Sequence, residues 1–161
     1  MRDKVEIIGN IRFWPKGFTT LHYYNAYFTG DKIIWEFLYK NWFAMTYSQG
    51  AILLLPILPI AYIIGKKKAK IRSEIEIYDY QKGYKDLDNI IGKNPKNFII
   101  DYNQIDNILI KKGKIIIEFI REVYNLEKKT KFYFDKQDQH IVESVFKNIF
   151  PVKSKIHGEM I

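Results

Sequence analysis

Histidine is the side chain most often used for acid-base catalysis and zinc binding at neutral pH, and this sequence contains three. His22, His140 and His157 fall in separate predicted elements and lack the spacing of a zinc ligand set, which argues against a histidine-based zinc site or general base. Cysteine is absent, so disulfides, thiolate metal sites and cysteine nucleophiles are excluded. A reducing cytoplasm is compatible with this composition.

Two acidic pairs, Asp86 with Asp88 and Asp135 with Asp138, could act in acid-base chemistry or hold a divalent metal. Negative charge is favourable at the start of a helix, and we interpret both pairs as helix starts. Residues 83–93 contain two glycines and lysines, but their spacing does not match a phosphate-binding loop. The sequence also lacks a nucleophile-elbow serine, a dinucleotide fingerprint and a helical zinc motif, so we predict a protein that is not an enzyme and uses no metal or cofactor.

Aromatic rings beside lysines are typical of proteins that bind single-stranded nucleic acid, and Tyr23, Tyr24, Tyr27 and Phe28 form such a group. Alternate side chains of a strand point to opposite faces, so half of these rings must face inward. Core packing therefore explains most of this pattern, and nucleic acid is the less favoured partner.

The most unusual segment is a run of 25 residues without charge, from Asn41 to Gly65. About 20 apolar residues cross a bilayer once as a helix, and two crossings would need about 40. A single crossing would place the strands before and after the run in different compartments, which one sheet cannot tolerate. A re-entrant or monotopic loop removes the conflict, and Gly50, Pro56 and Pro59 give the backbone places to turn. Such a loop must be shallow or covered by a partner, because unpaired backbone groups in hydrocarbon cost several kcal/mol each.

Aromatic and basic residues flank the apolar run as expected at a membrane surface. The rings of Trp42, Phe43, Tyr47 and Tyr62 suit the headgroup layer. Five cations follow directly in residues 66–72, where each contributes about 1 kcal/mol near an anionic leaflet, and their position marks the cytoplasmic side. A soluble alternative stays open, in which the run is a buried helical hairpin or a subunit interface and residues 66–72 form a solvated turn.

The length and composition indicate one folded domain. The 161 residues are enough for a single domain with a sizeable core. Hydrophobic residues make up 47% of the chain, far from the composition of disordered proteins. The net charge of +8 implies an anionic partner such as a membrane surface, nucleic acid or an acidic protein. Residues 1–6 lack the apolar run of a signal peptide, so we expect the N-terminus to belong to the fold.

Alternating apolar residues predict strands on both sides of the run. Residues 5–13 predict one strand, interrupted near Gly9-Asn10. Two hairpins follow from turn residues between alternating segments, one at 22–28 and 32–38 and the other at 105–112 and 114–121. Further strands are predicted at residues 97–102 and 131–134.

The remaining segments have patterns that favour or permit helices. Residues 71–77 fit either a strand or a helix, and residues 86–91 predict one or two helical turns closed by Gly92. Asp135 or Asp138 could cap a C-terminal helix, and beyond Pro151 we expect a polar tail without structure. The apolar face of that helix recurs at three- and four-residue spacing and consists of Val142, Val145, Phe146 and Ile149.

In residues 24–35, YNAYFTGDKIIW, a small residue and an aromatic precede a threonine turn, a basic residue and two aliphatics. This pattern resembles a hairpin of prokaryotic PH/GRAM-like domains. Residues 98–108, FIIDYNQIDNI, resemble the later strand and turn of that family, with Asp101 where the family tends to have proline. A Lys-Gly hairpin, an aromatic strand and a C-terminal helix follow, so the resemblance covers nearly the whole chain except 39–70. The resemblance implies lipid or protein binding without catalysis, by analogy of fold.

We therefore predict a mainly β fold, with a PH-like bent antiparallel sheet or barrel of about seven strands capped by a C-terminal α-helix. A helical apolar insertion lies between strands. One domain would span residues 1–150, interrupted by the insertion and its basic flank at 39–70, and residues 151–161 would form a tail.

The predicted function is that of a membrane-associated, non-catalytic binding or adaptor domain on the cytoplasmic side. Its expected partners are anionic membrane lipids, a membrane protein or a second copy of the chain. The alternative is a soluble, oligomeric basic domain that binds nucleic acid and uses the apolar segment as a subunit interface. The residues predicted to insert into the membrane are Trp42, Phe43, Ile52, Leu53, Leu54, Leu55, Pro56, Ile57, Leu58, Pro59, Ile60, Tyr62, Ile63 and Ile64. The residues predicted to bind anionic headgroups are Lys66, Lys67, Lys68, Lys70 and Arg72.

Overall fold

The computed structural model describes residues 5–15, 20–41, 58–151 and 154–156. The strands in these ranges are β1 (Glu6–Phe13), β2 (Leu21–Phe28), β3 (Lys32–Asn41), β4 (Phe98–Asp101), β5 (Ile105–Lys111), β6 (Lys114–Phe119), β7 (Lys129–Tyr133) and β8 (Ser154–Ile156). The helices are α1 (Leu58–Gln81), α2 (Ile90–Lys93) and α3 (Gln139–Ile149). Short 3-10 turns lie at Leu87–Asn89, Tyr102–Gln104 and Lys136–Asp138.

The described strands form one sheet in the order β4-β3-β2-β1-β7-β6-β5-β8. Seven strands are antiparallel, and β8 pairs in parallel with β5. The meanders β1–β4 and β5–β7 meet where β1 pairs with β7 at Arg12 and Tyr133, a joint that we call the seam. The sheet is not closed into a barrel. The predicted mainly β architecture, with a C-terminal helix and a helix between strands, is confirmed.

A bulge in β1 changes the face on which its side chains lie. The register with β2 shifts between Ile8 and Ile11, and Asn10 has a φ of 56°. Ile7 packs with a small outer cluster, whereas Ile11 and Phe13 belong to the main core. Simple alternation would put all three on one face, so the extra residue accounts for the change. The interruption predicted near Gly9-Asn10 is confirmed.

The main core contains side chains from all seven antiparallel strands and from α3. Trp35 of the first meander stacks on Phe132 of the second, with ring centroids 4.6 Å apart. Val142, Val145 and Phe146 of α3 are buried against this core, as their spacing predicts. The rings therefore join the two meanders although the seam itself is short.

Helix α1 lies on the other face of the first meander. Tyr23 of β2 packs with Ala69, and the ring of Tyr27 lies 5.5 Å from that of Tyr80. Every residue of β2 is buried as a result, because one face meets the main core and the other meets α1. Residues 71–77, for which a strand and a helix were both open, belong to α1.

Three local features in the second half of the chain differ wholly or in part from the expectations. Residues 154–156 pair with β5, whereas we predicted a tail without structure, because the unpaired edge of β5 accepts even a three-residue strand. Gly92 lies inside α2, and Asn94 ends that helix in an extended conformation that needs no glycine. Asp138 occupies the N-cap position of α3, and Asp135 that of the preceding 3-10 turn, as predicted for helix starts. Neither side chain makes a capping bond, and Asp135 is engaged by basic side chains instead.

Candidate functional site

The two ends of the apolar run are in contact with each other. A Cβ atom added to Gly65 would lie 2.7 Å from the side-chain nitrogen of Asn41 and 3.3 Å from the ring of Tyr39. Asn41 is the last residue of β3, and Gly65 lies in the second turn of α1. The absence of a side chain at Gly65 permits this approach. The chain therefore leaves the sheet and returns to it at one place.

The predicted insertion residues divide into four groups. Trp42, Phe43 and residues 52–57 lie outside the described residues, and Leu58 and Pro59 begin α1. Three isoleucines of the first turns of α1 are exposed to solvent, namely Ile60, Ile63 and Ile64. Tyr62 instead packs toward the sheet. The first turns of α1 thus present isoleucine side chains outward at the place where the run returns.

Helix α1 has two apolar faces of different kinds. Its inner face has small residues at every fourth position, with Gly65, Ala69 and Ser73 buried against the sheet. Its outer face continues the exposed isoleucines with Ile71 and Ile75, which are 48% and 54% exposed. Small residues allow the helix backbone to lie close to the sheet, and the exposed isoleucines lie on the side of the helix that faces away from it. None of the helices in the described ranges is both long and apolar enough to span a membrane.

The five predicted headgroup residues point in different directions. The Nζ of Lys66 lies 2.9 Å from Oδ1 of Asp135, so this lysine faces the sheet. Arg72 pairs along the helix with Glu76 at 3.8 Å, and Lys67, Lys68 and Lys70 are exposed. The five cations that are neighbours in sequence therefore divide into two sets. Four are exposed on the surface of α1, and Lys66 faces the seam.

Lys66 lines a cleft of about 660 Å³ at the seam. Cations from β1, from the β5–β6 turn and from the segment before α3 surround the same space. We call this the basic cleft, and its charged residues are Arg12, Lys66, Lys112, Lys114, Lys136 and Asp135. Five cationic side chains thus face one carboxylate.

Strand register explains why these residues meet. Arg12 pairs with Tyr133 across the seam, Tyr133 pairs with Lys114, and Lys114 pairs with Lys111 across the next hairpin. These residues form one row across three strand pairs. The row brings the end of β1 to the β5–β6 turn, so residues distant in sequence line one cleft.

Asp135 organises the cationic side chains of the cleft. Arg12 Nη1 donates to Oδ1 of Asp135 at 2.9 Å, and Nη2 donates to the carbonyl of Phe134 at 3.3 Å. Burial raises the pKa of Asp135, but the hydrogen bonds and charges of Lys66 and Arg12 outweigh it and hold that pKa below its ordinary value. Asp135 is therefore a carboxylate at neutral pH, and it holds one arginine and one lysine in fixed positions.

Sequence reasoning missed Arg12, Lys112, Lys114 and Lys136 as members of a site. The Lys112-Gly113 turn was predicted, and its register would have placed Lys114 beside Lys111. No pattern of residues along the sequence could place Arg12 beside Asp135, because that contact depends on the pairing of β1 with β7.

The histidines and acidic residues considered for catalysis or metal binding do not form a second site in the described residues. His22 is buried and bonds to the hydroxyls of Thr20 and Tyr24 at 3.0 and 3.3 Å, and His140 is exposed on α3. His157 lies outside the described residues. The carboxylate of Asp86 accepts from the backbone N–H of Asp88 at 3.2 Å, as at a helix start. Within the described ranges, no three side chains of metal-binding type gather in one place.

The aromatic group considered for nucleic-acid stacking is buried. Tyr23, Tyr24, Tyr27 and Phe28 are each at most 1% exposed, so their rings are not available to bases. Core packing, the interpretation favoured from the sequence, accounts for all four.

Comparisons with known proteins found no match among family models, curated proteins or solved structures.

Proposed function

We propose that this chain is a non-catalytic binding domain held at the cytoplasmic face of a membrane by its apolar run. The observation that carries the proposal is the contact between Asn41 and Gly65. A single helical crossing would separate the ends of the run by about 30 Å. Ends that touch instead suit a segment that enters and leaves the same side of a bilayer.

The position of the charges supports the same orientation. Lys66, Lys67 and Lys68 directly follow the run, and Lys40 directly precedes it. Each cation near an anionic leaflet contributes about 1 kcal/mol, so this group would favour anionic lipids around the point of insertion. The excess of lysine beside the apolar segment also favours the cytoplasmic side.

The exposed isoleucines of α1 extend the apolar surface beyond the run. Ile60, Ile63 and Ile64 are each about half exposed or more, next to exposed lysines. Isoleucines flanked by lysines are typical of a helix that lies in the membrane interface. The PH/GRAM-like resemblance remains part of the proposal, supported by the sheet with its C-terminal helix, and it suggests lipid or protein binding.

Vesicle sedimentation tests the proposal. Full-length protein is expected to pellet with vesicles that contain an anionic lipid and to stay bound at high salt, because hydrophobic insertion is not screened by ions. A variant in which a short Gly-Ser linker replaces residues 42–64 is expected to stay folded and remain in the supernatant, since the flanking residues already touch.

Two results would overturn the anchoring model. One is recovery of the full-length protein from membrane-containing extract in the soluble fraction without detergent. The other is vesicle binding that disappears at high salt to the same extent with and without residues 42–64. Steep salt dependence combined with nucleic-acid binding would favour the soluble alternative.

A further inference from the structure

We propose that the basic cleft binds a phosphomonoester, the doubly charged phosphate of a lipid headgroup or of a small soluble ligand. The inference deepens the proposed function and rests on it only for the lipid source. It names the chemistry that the cleft would select and the residues that would contact it.

The first argument is uncompensated charge. Arg12, Lys66, Lys114 and Lys136 line a cleft in which Asp135 is the only carboxylate among the described lining residues. Cations that share a concave surface repel one another and concentrate their field in the cleft, so an anion bound there lowers the energy of the whole group. A phosphomonoester carries nearly two charges and three acceptor oxygens at neutral pH, more than a carboxylate or a phosphodiester offers.

The second argument is that two of the contacting groups, Arg12 and Lys66, are already held in place. The side chain of Arg12 is only 14% exposed, and both of its terminal nitrogens are hydrogen-bonded. Lys66 is fixed by the same carboxylate at 2.9 Å. Binding therefore does not have to immobilise these two side chains, and preorganised arginine and lysine donors suit phosphate oxygens.

The third argument concerns the β5–β6 turn. Gly113 adopts a φ of 72°, its N–H donates to the side chain of Gln139 at 3.0 Å, and its carbonyl accepts from Phe134 at 3.1 Å. A Cβ at Gly113 would lie 3.4 Å from Lys136. The turn is thus fastened to the end of β7 and to α3, which places Lys112, Lys114 and Lys136 around one space.

The cleft also lies beside the apolar run. Lys66 is the residue after Gly65, and Gly65 contacts the end of β3. A lipid phosphate at the cleft would therefore lie near the proposed point of insertion.

The test uses full-length protein in zwitterionic micelles, titrated with glycerol 3-phosphate and followed by calorimetry. A second arm uses vesicles with phosphatidic acid or, at matched surface charge, phosphatidylglycerol. The cleft variant is Lys114→Gln with Lys136→Gln, which leaves the bonds of Asp135 intact. The matched control is Lys93→Gln with Lys128→Gln, two exposed lysines outside the cleft.

We expect the cleft variant to bind glycerol 3-phosphate about tenfold more weakly or worse, and the control to stay within about twofold of the wild type. A preference for phosphatidic acid that the cleft variant loses identifies a lipid source. Glycerol 3-phosphate binding without that preference identifies a soluble source. Either result supports the inference.

Three results would overturn it: equal weakening by both variants, equal affinity for dimethyl phosphate or an oligonucleotide, or absence of binding to both phosphomonoesters. The two proposals fail separately. If the wild-type protein pellets with vesicles but does not bind phosphomonoesters, the anchoring proposal stands and the cleft proposal fails. If it binds glycerol 3-phosphate but never pellets, the cleft proposal stands and the anchoring proposal fails.

Discussion

Lys85 connects α1 to the sheet through buried charges. Its ammonium group bonds to Glu36 of β3 and, at 2.6 Å, to Glu76 of α1, while Tyr27 donates to Glu36 at 2.8 Å. Burial, followed by the charge of Glu36, raises the pKa of Tyr27, so the phenol remains a donor. Lys85 itself is 7% exposed, so its removal would leave Glu36 buried beside a second carboxylate.

We expect Lys85→Met to lower the free energy of unfolding by about 3 kcal/mol, because it leaves a buried charge without its partner. Urea denaturation of the full chain in micelles would measure this loss of unfolding free energy. Adding Glu36→Gln should recover part of the loss. Lys129→Met is the matched control: it removes an exposed lysine paired with Glu118 and should lower stability far less than Lys85→Met, because solvent screens an exposed pair. Equal effects of Lys85→Met and Lys129→Met would contradict the role of the network.

His22 makes stability depend on pH. Burial, with the nearby charges of Lys96 and Lys40, lowers the pKa of His22 from 6.5 to about 4. Between these two pKa values the unfolded chain binds a proton at this histidine and the folded chain does not, so stability falls as the pH drops from 6.5 to about 4. We expect His22→Gln to flatten this part of the curve of unfolding free energy against pH. Parallel curves for the variant and the wild type would show that His22 is not responsible.

Substitutions on the two faces of α1 should differ in their effect on stability. Ala69 is completely buried against β2 and β3, so Ala69→Leu should lower stability by about 1–3 kcal/mol through overpacking. Ile75 is 54% exposed, and Ile75→Gln should change stability by less than about 0.5 kcal/mol. Thermal denaturation of both variants would measure the contrast. Loss of stability in Ile75→Gln equal to that in Ala69→Leu would mean that the outer face is covered.

The two predicted hairpins were accessible to sequence reasoning because their signal is local. Thr29 donates its hydroxyl to the carbonyl of Lys32, and Gly113 supplies the left-handed residue of the second turn. In contrast, α1 was ambiguous because Ile71, Ile75 and Ile77 alternate with charged residues as in a strand. The fully buried residues on the inner face of α1, Gly65, Ala69 and Ser73, are small, so the usual stripe of large apolar residues is missing from the sequence.

The candidate site was predicted only in part. Lys66 was identified from its place beside the apolar run, but its partner Asp135 was interpreted as a helix start. The cleft takes its residues from the first strand, a helix, a turn and the segment before the last helix. Such a set is defined by strand order, and composition and spacing along the chain do not contain it.

At the scale of the whole molecule, both flanks of the apolar run belong to one sheet. Asn41 ends β3, and the chain returns through α1 to β4, which pairs with β3 from Lys32 to Trp35. Any membrane that the run enters must therefore leave the strands before and after it on the same side. This requirement can be tested without disturbing the core.

The sequence has no cysteine, so single cysteines can serve as labels. Gly30 and Gly92 lie before and after the run, and an added side chain at either would meet no atom within 4 Å. We expect Gly30→Cys and Gly92→Cys in sealed membranes to react with a membrane-impermeant maleimide from the same side. Cysteines introduced at Lys82 and Lys128, both exposed, provide further positions after the run. Labelling of the two flanks from opposite sides would contradict both the single sheet and the anchoring model.

The pairing of β1 with β7 has a consequence for biosynthesis. β1 leaves the ribosome well before its neighbour β7, so one edge of the nascent sheet stays unpaired while β2–β6 are being synthesised. The apolar run is synthesised before β4–β7, so it leaves the ribosome attached to an incomplete sheet, and β1 can pair with β7 only after that.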